Sequence, residues 1–92
     1  MARISSALLI DVTKLVLNDQ NVLNQLSLLN HDPSLTSQRM SIDVVNPQQG
    51  SATILCNFYF LNLNTNLPGP RFEIKVVWNS STPLFIAGMG FQ

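Results

Sequence analysis

Residues 40 to 79, MSIDVVNPQQGSATILCNFYFLNLNTNLPGPRFEIKVVWN, decide how this chain folds, because here apolar side chains recur with a period of two. Successive side chains of an extended strand point to opposite faces, so a period of two marks a strand with one buried face. Met40, Ile42 and Val44 alternate with Ser41 and Asp43, and the run ends in the turn residues Asn46-Pro47-Gln48-Gln49-Gly50. Ala52 to Leu63 is the longest alternating run. One of its faces carries Ala52, Ile54, Cys56, Phe58 and Phe60, and the other carries Thr53, Leu55, Asn57, Tyr59, Leu61 and Leu63. From Phe58 onward both faces are largely apolar, so this strand is expected to be covered on both sides.

Leu67-Pro68-Gly69-Pro70 offers Pro and Gly for the two central positions of a type II turn, and the chain is expected to reverse there. Arg71 to Asn79 then alternates again, with Phe72, Ile74, Val76 and Trp78 on one face against Arg71, Glu73, Lys75 and Asn79 on the other. Asn79 to Pro83 reads as the next turn and Leu84 to Ala87 as a short final strand. Four antiparallel strands are thus expected, near residues 40–46, 52–63, 71–79 and 84–87.

Upstream of Met40 the period changes. Leu8, Val12, Leu15, Val22, Leu26 and Leu29 follow one another at spacings of four, three, seven, four and three, a helical stripe in which Asp19 takes the one position that is not apolar. Ser5 or Ser6 is a candidate cap for the start, and Asn30-His31-Asp32-Pro33 a candidate stop, since the residue before a proline disfavours the helical region. A break near Asn18 and Asp19 would divide the segment into two helices. Leu9, Ile10, Val16 and Leu17 make its first part apolar nearly all round, so a buried strand from Ala7 to Leu17 is the competing reading. Asp32 to Gln38 reads as a polar linker. The expected fold is α+β: one domain over residues 1–92, with an N-terminal helical segment and linker at 1–38 packed on an antiparallel meander at 39–92. An all-β sandwich is the alternative.

Composition narrows the function. The 92 residues include five Lys plus Arg and five Asp plus Glu, so the net charge is zero and only 11% of residues are charged, against roughly 25% in an average soluble domain. Ten Asn and six Gln supply neutral polarity instead. Arg3, Lys14, Arg39, Arg71 and Lys75 are scattered and balanced by acids, which argues against nucleic-acid binding. The apolar run from Ile4 to Ile10 is broken by Asp11 and Lys14 before it forms a signal-peptide core, and uninterrupted apolar stretches reach only four residues, too short to span a bilayer. Neither a leader nor a membrane segment is expected.

Chemistry-bearing residues are few. A lone Cys56 excludes an internal disulfide, and one His31 with one Cys cannot build a four-ligand zinc site. His31 beside Asp32 reads as a solvated loop pair, since general-base catalysis needs groups that converge in space. Cys56 lies on the more apolar face of its strand, where a small buried hydrophobe is the usual role. Gly88-Met89-Gly90 lacks the following helix that a phosphate-binding loop requires. No catalytic residue, cofactor or metal is expected, and the chain reads as a non-enzyme.

What remains is self-association. A domain of this length has a small core, and burial against a partner subunit supplements it. Residues 83 to 91 carry no charge, although chain ends are usually polar. The expected subunit interface is Phe58, Tyr59, Leu61, Leu63, Phe85, Met89 and Phe91, with Asn57, Asn62, Asn64 and Asn66 as candidate neutral hydrogen-bonding groups across it. The expected function is a structural subunit of a symmetric assembly. Its most specific form is a virion capsid cement or decoration protein, assembled in the host cytoplasm, that joins copies of itself, such as a trimer, and a major capsid protein. The alternative is a small monomeric, cytoplasmic β-rich module that binds a glycan or peptide through Tyr59 and nearby Asn side chains.

Overall fold

The computed structural model describes residues 5 to 92. Met1 to Ile4, where the signal-peptide question begins, lie outside them. Two helices, α1 (Ser6–Asn18) and α2 (Gln20–Asn30), precede four strands, β1 (Leu35–Gln48), β2 (Ser51–Asn62), β3 (Leu67–Asn79) and β4 (Thr82–Phe91). The strands form one antiparallel sheet in the order β1-β2-β3-β4, so the fold is α+β, a helical segment on a meander.

Local chemistry sets the helix ends. Ser5 caps α1, its Oγ accepting a hydrogen bond from the Leu8 amide at 3.1 Å. Asp19 explains its own place in the apolar stripe. Its backbone is extended, and its Oδ1 accepts from the Val22 amide at 3.0 Å, so this residue ends α1 and caps α2. A carboxylate at a helix start satisfies a free amide and also complements the helix dipole. The segment from Ala7 to Leu17 is therefore helix and not strand; Val12 and Val16 are its fully buried residues, and Val22 is that of α2.

Both helices lie on one face of the sheet, α1 against β4 and α2 against β1. Register brings three apolar rows across all four strands beneath them. Val44, Ile54, Val76 and Ile86 form one row, Ile42, Cys56, Ile74 and Met89 the second, and Met40, Phe58, Phe72 and Phe91 the third. Ile54, Cys56, Phe72, Ile74 and Val76 in the two central strands are fully buried and close the core with the three helical valines. Each such apolar side chain contributes about 1.5–3 kcal/mol relative to exposure.

The strands differ from the expected ones at their ends. Leu35 to Gln38, read as linker, belong to β1, where Leu35, Thr36 and Ser37 pair with Asn62, Leu61 and Phe60. Backbone pairing holds this part of the strand, whose side chains are too polar to show it. The reversal expected at Leu67 to Pro70 occurs earlier, at residues 63 to 66. Asn62 Oδ1 accepts from the amides of Asn64 and Thr65 at 2.9 and 3.3 Å, and Asn66 takes the left-handed conformation with φ 57°. An Asx turn followed by a left-handed Asn completes the reversal before the prolines are reached. Pro68, Gly69 and Pro70 instead lie within β3 at a register slip, where the missing proline amides break no continuous ladder. A Cβ on Gly69 would sit 3.2 Å from the Phe60 carbonyl oxygen, so this glycine permits close backbone approach. β4 continues beyond Ala87 to Phe91, with Ala87 as a bulge between the Gly88 and Ile86 pairings to β3.

Candidate interaction surface

Among the described residues, no helix lies on the second face of the sheet. Its rows follow from the same register: Arg39, Tyr59 and Arg71; then Ser41, Asn57, Glu73 and Gly90; then Asp43, Leu55, Lys75 and Gly88; then Val45, Thr53, Val77 and Phe85. In the first row the Arg39 guanidinium stands 4.0 Å above the Tyr59 ring, a cation–π contact. Ser41 donates to the Tyr59 hydroxyl at 3.4 Å. That hydrogen bond, with further help from Arg71 and Arg39, holds the phenol below its ordinary pKa. With Arg39 over its ring, Tyr59 offers one face fewer for stacking on a sugar.

Asn57 is the polar residue at the centre of this face. It is only 4% exposed, and its Oδ1 has no hydrogen-bond partner among the described residues. Leaving a buried acceptor unpaired costs about 1–3 kcal/mol. Beside it, Gly88 and Gly90 help to line an open depression of about 220 Å³ together with Glu73 and Lys75. A Cβ on either glycine would meet nothing within 4 Å. Neither has the positive φ that Gly50 shows in the turn between β1 and β2. Nothing among the described residues thus requires glycine at these two positions.

The expected interface residues do not form one patch. Phe58 sits in the core-facing row between Met40 and Phe72, Met89 packs half-buried on the core, and Tyr59 lies on the opposite face beneath Arg39. Leu61 is half-buried near the end of β2, and Leu63, in the following turn, is 54% exposed. Phe85 and Phe91, both 49% exposed, lie on β4, which is an edge of the sheet. Phe91 is tilted against Phe72 with ring centroids 5.1 Å apart, so one side of its ring is used internally. Further large apolar side chains outside the expected interface, Ile10, Leu17, Leu23 and Leu28, are exposed on the helices. The signal for Ile10 and Leu17 was present in the apolar arc of α1, wider than one sheet face can cover.

The candidate amides also divide. Asn62 and Asn66 build the turn between β2 and β3, an internal role that accounts for both, whereas Asn64 is exposed within it. His31 and Asp32 engage different partners. His31 Nδ1 lies 2.8 Å from the Ser27 carbonyl oxygen at the end of α2, while Asp32 accepts from the Ser34 hydroxyl and amide at 2.6 and 2.9 Å. Those two bonds lower the Asp32 pKa. Burial, with a smaller contribution from Asp43, pushes the Cys56 thiol up to about 11, which disfavours the reactive thiolate. Among the described residues no helix is long and apolar enough to cross a membrane, and no group of three or more His, Cys, Asp or Glu could hold a metal ion.

Set against known protein families, curated proteins and solved structures, the chain matches none of them.

Proposed function

We propose that this chain is a non-enzymatic structural subunit of a symmetric assembly, acting by burying apolar surface against copies of itself and against a larger scaffold. The observation that carries this reading is the number of large apolar side chains left in solvent on a neutral, weakly charged molecule. Leu28 is 69% exposed, Leu67 61%, Leu63 54% and Ile10 53%. Single exposed leucines are ordinary. Here they occur on both helices and at the β2–β3 turn of a small domain, and zero net charge offers little repulsion against association.

In its most specific form the proposal is a cement or decoration protein on a virion, added to a shell of major capsid protein. Neutral amides in place of charges suit such contacts, since salt screens charges and leaves apolar burial and amide hydrogen bonds in place. The test is the native mass of the full-length protein over a range of concentration and salt, by light scattering coupled to gel filtration. A closed oligomer that survives dilution and salt supports the reading. A monomer at every concentration overturns self-assembly and leaves the monomeric glycan- or peptide-binding module as the function to pursue.

A further inference from the structure

The sheet has two edges, and they are built differently. β1 carries the exposed charges Arg39 and Asp43, the proline Pro47 and two register slips. Charges, prolines and bulges are the devices by which an edge strand resists pairing with another chain. β4 likewise has two register slips and differs from β1 in charge. Its ten residues, TPLFIAGMGF, hold no charge, and the chain has none from Val76 to Gln92. Pro83 lies at its start, so the stretch from Leu84 to Phe91 keeps every backbone amide.

The direction of those amides follows from the end of the ladder. Gln92 donates its amide to the Arg71 carbonyl at 2.8 Å. Backbone groups alternate along a strand, so Met89 and Phe91 direct theirs away from β3. Beyond the Ala87 bulge, Val77 pairs with Phe85, which leaves Leu84 and Ile86 facing outward. Side chains have an equally definite arrangement. Leu84, Ile86, Met89 and Phe91 are on the helix side, and Phe85, Gly88 and Gly90 on the other.

We propose, resting on the self-assembly reading, that β4 pairs antiparallel with β4 of a second copy about a twofold axis lying between Ala87 and Gly88. A strand meeting its own copy across such an axis is necessarily antiparallel, and the contact is self-complementary. In this register Leu84 lies opposite the partner's Phe91, Phe85 opposite the partner's Gly90, and Ile86 opposite the partner's Met89. Every pair has both members on the same face. The two pairs that exchange backbone hydrogen bonds, Leu84 with the partner's Phe91 and Ile86 with the partner's Met89, are those whose amides point outward. The bulges of the two strands meet at the axis.

This arrangement also supplies a reason for the glycines. Glycine inside a strand weakens it and marks close approach by a ligand or another chain. The partner's Phe85 ring covers Gly90 and enters the depression beside Glu73 and Lys75, an aromatic ring laid over a bare strand position. The half-exposed Phe85 is thereby buried, and the two four-stranded sheets become one of eight strands. The contact is a dimer; a trimer would require a different surface.

The test begins from the subunit's tolerance of a side chain at Gly90. Gly90→Val adds a side chain whose Cβ meets nothing among the described residues but stands where the partner's Phe85 would lie, so a folded monomer is expected, with unchanged circular dichroism and half the native mass of a wild-type dimer. Register is read separately by mixing Phe85→Cys and Gly90→Cys chains, each also carrying Cys56→Ala, under mild oxidation. A disulfide-linked dimer is expected in the mixture and in neither chain alone, because opposed residues in a non-hydrogen-bonded pair stand within disulfide reach. A wild-type oligomer whose mass survives Gly90→Val, or a mixture that yields no more disulfide dimer than the separate chains, overturns the β4 pairing while leaving self-assembly standing. A wild-type monomer overturns both.

Discussion

The two faces of this one sheet are held by different physics. Beneath the helices, Ile54, Cys56, Phe72, Ile74 and Val76 are dry and meet Val12, Val16 and Val22. On the other face the same strands present Leu55, Thr53, Val77 and Tyr59, half-buried by their neighbours alone, with an unpaired Asn57 at the centre. A sheet of four strands needs only one covered face to be stable. The second face is thus released from folding duty, and it is where a row of cation, phenol and cation, an orphaned amide oxygen and two unexplained glycines are found together.

Paired substitutions separate the two faces. Phe72→Ala, at 1% exposure, should cost about 3–5 kcal/mol. Leu55→Ala, on the opposite face of the sheet, should cost under about 2 kcal/mol because its site is already half open to water. Urea unfolding of both variants checks the gap, and equal losses would mean that the helix-free face is covered in solution. The Cys56 thiol probes the same core by its chemistry. Its folded pKa of about 11 lies above the model-compound value of 9.0, so the unfolded chain releases this proton first. Stability contributed by the neutral thiol is complete below pH 9.0 and is lost as the pH rises from there through about 11. Cys56→Ala should flatten the fall in stability over that window, and in the native protein at pH 8 a thiol reagent should label Cys56 only through unfolding.

Smaller effects sharpen the contrast. Replacing Asn57 with Leu removes an unpaired buried oxygen and should raise stability by about 1 kcal/mol, measured by thermal or urea unfolding. A comparable loss would show that the amide meets a partner in solution. Asp19→Ala should lower stability by about 1 kcal/mol through the lost cap, with a drop in helical circular dichroism before the sheet signal falls. Arg39→Ala, at the exposed end of the comparison, should cost no more than about 1 kcal/mol and should raise the Tyr59 pKa, followed by the ultraviolet absorbance of the phenolate.

Much of this architecture is legible in residue order. The change from helical spacing to alternation near Met40 separates the two layers, and the even-numbered residues of β2 and β3 named the core face. The apolar arc of α1 blurred the choice between helix and strand, and Asp19 resolves it by acting as a cap. Of the interface residues expected from the sequence, Phe85 and Phe91 were drawn by an uncharged chain end, and both lie on a free edge. Phe58 was drawn by an apolar run that turns out to be internal packing between Met40 and Phe72. Side-chain chemistry alone does not distinguish these cases, because a phenylalanine in a central strand and one on an edge have the same periodicity.

What the sequence by itself determined is the sidedness of each element: which residues share a face, where Asn and Ser punctuate, and that charge is scarce. These are local properties, set by the fixed geometry of helix and strand and by side chains acting within a few residues. Only the tertiary structure decided that Leu35 to Gln38 are strand, that the chain turns at Asn62 to Asn66 before reaching Pro68-Gly69, and that β4 is a bare edge. Those outcomes depend on which backbone donors and acceptors find partners far along the chain. Such pairing uses groups that every residue but proline carries alike, and so leaves little mark on the order of side chains.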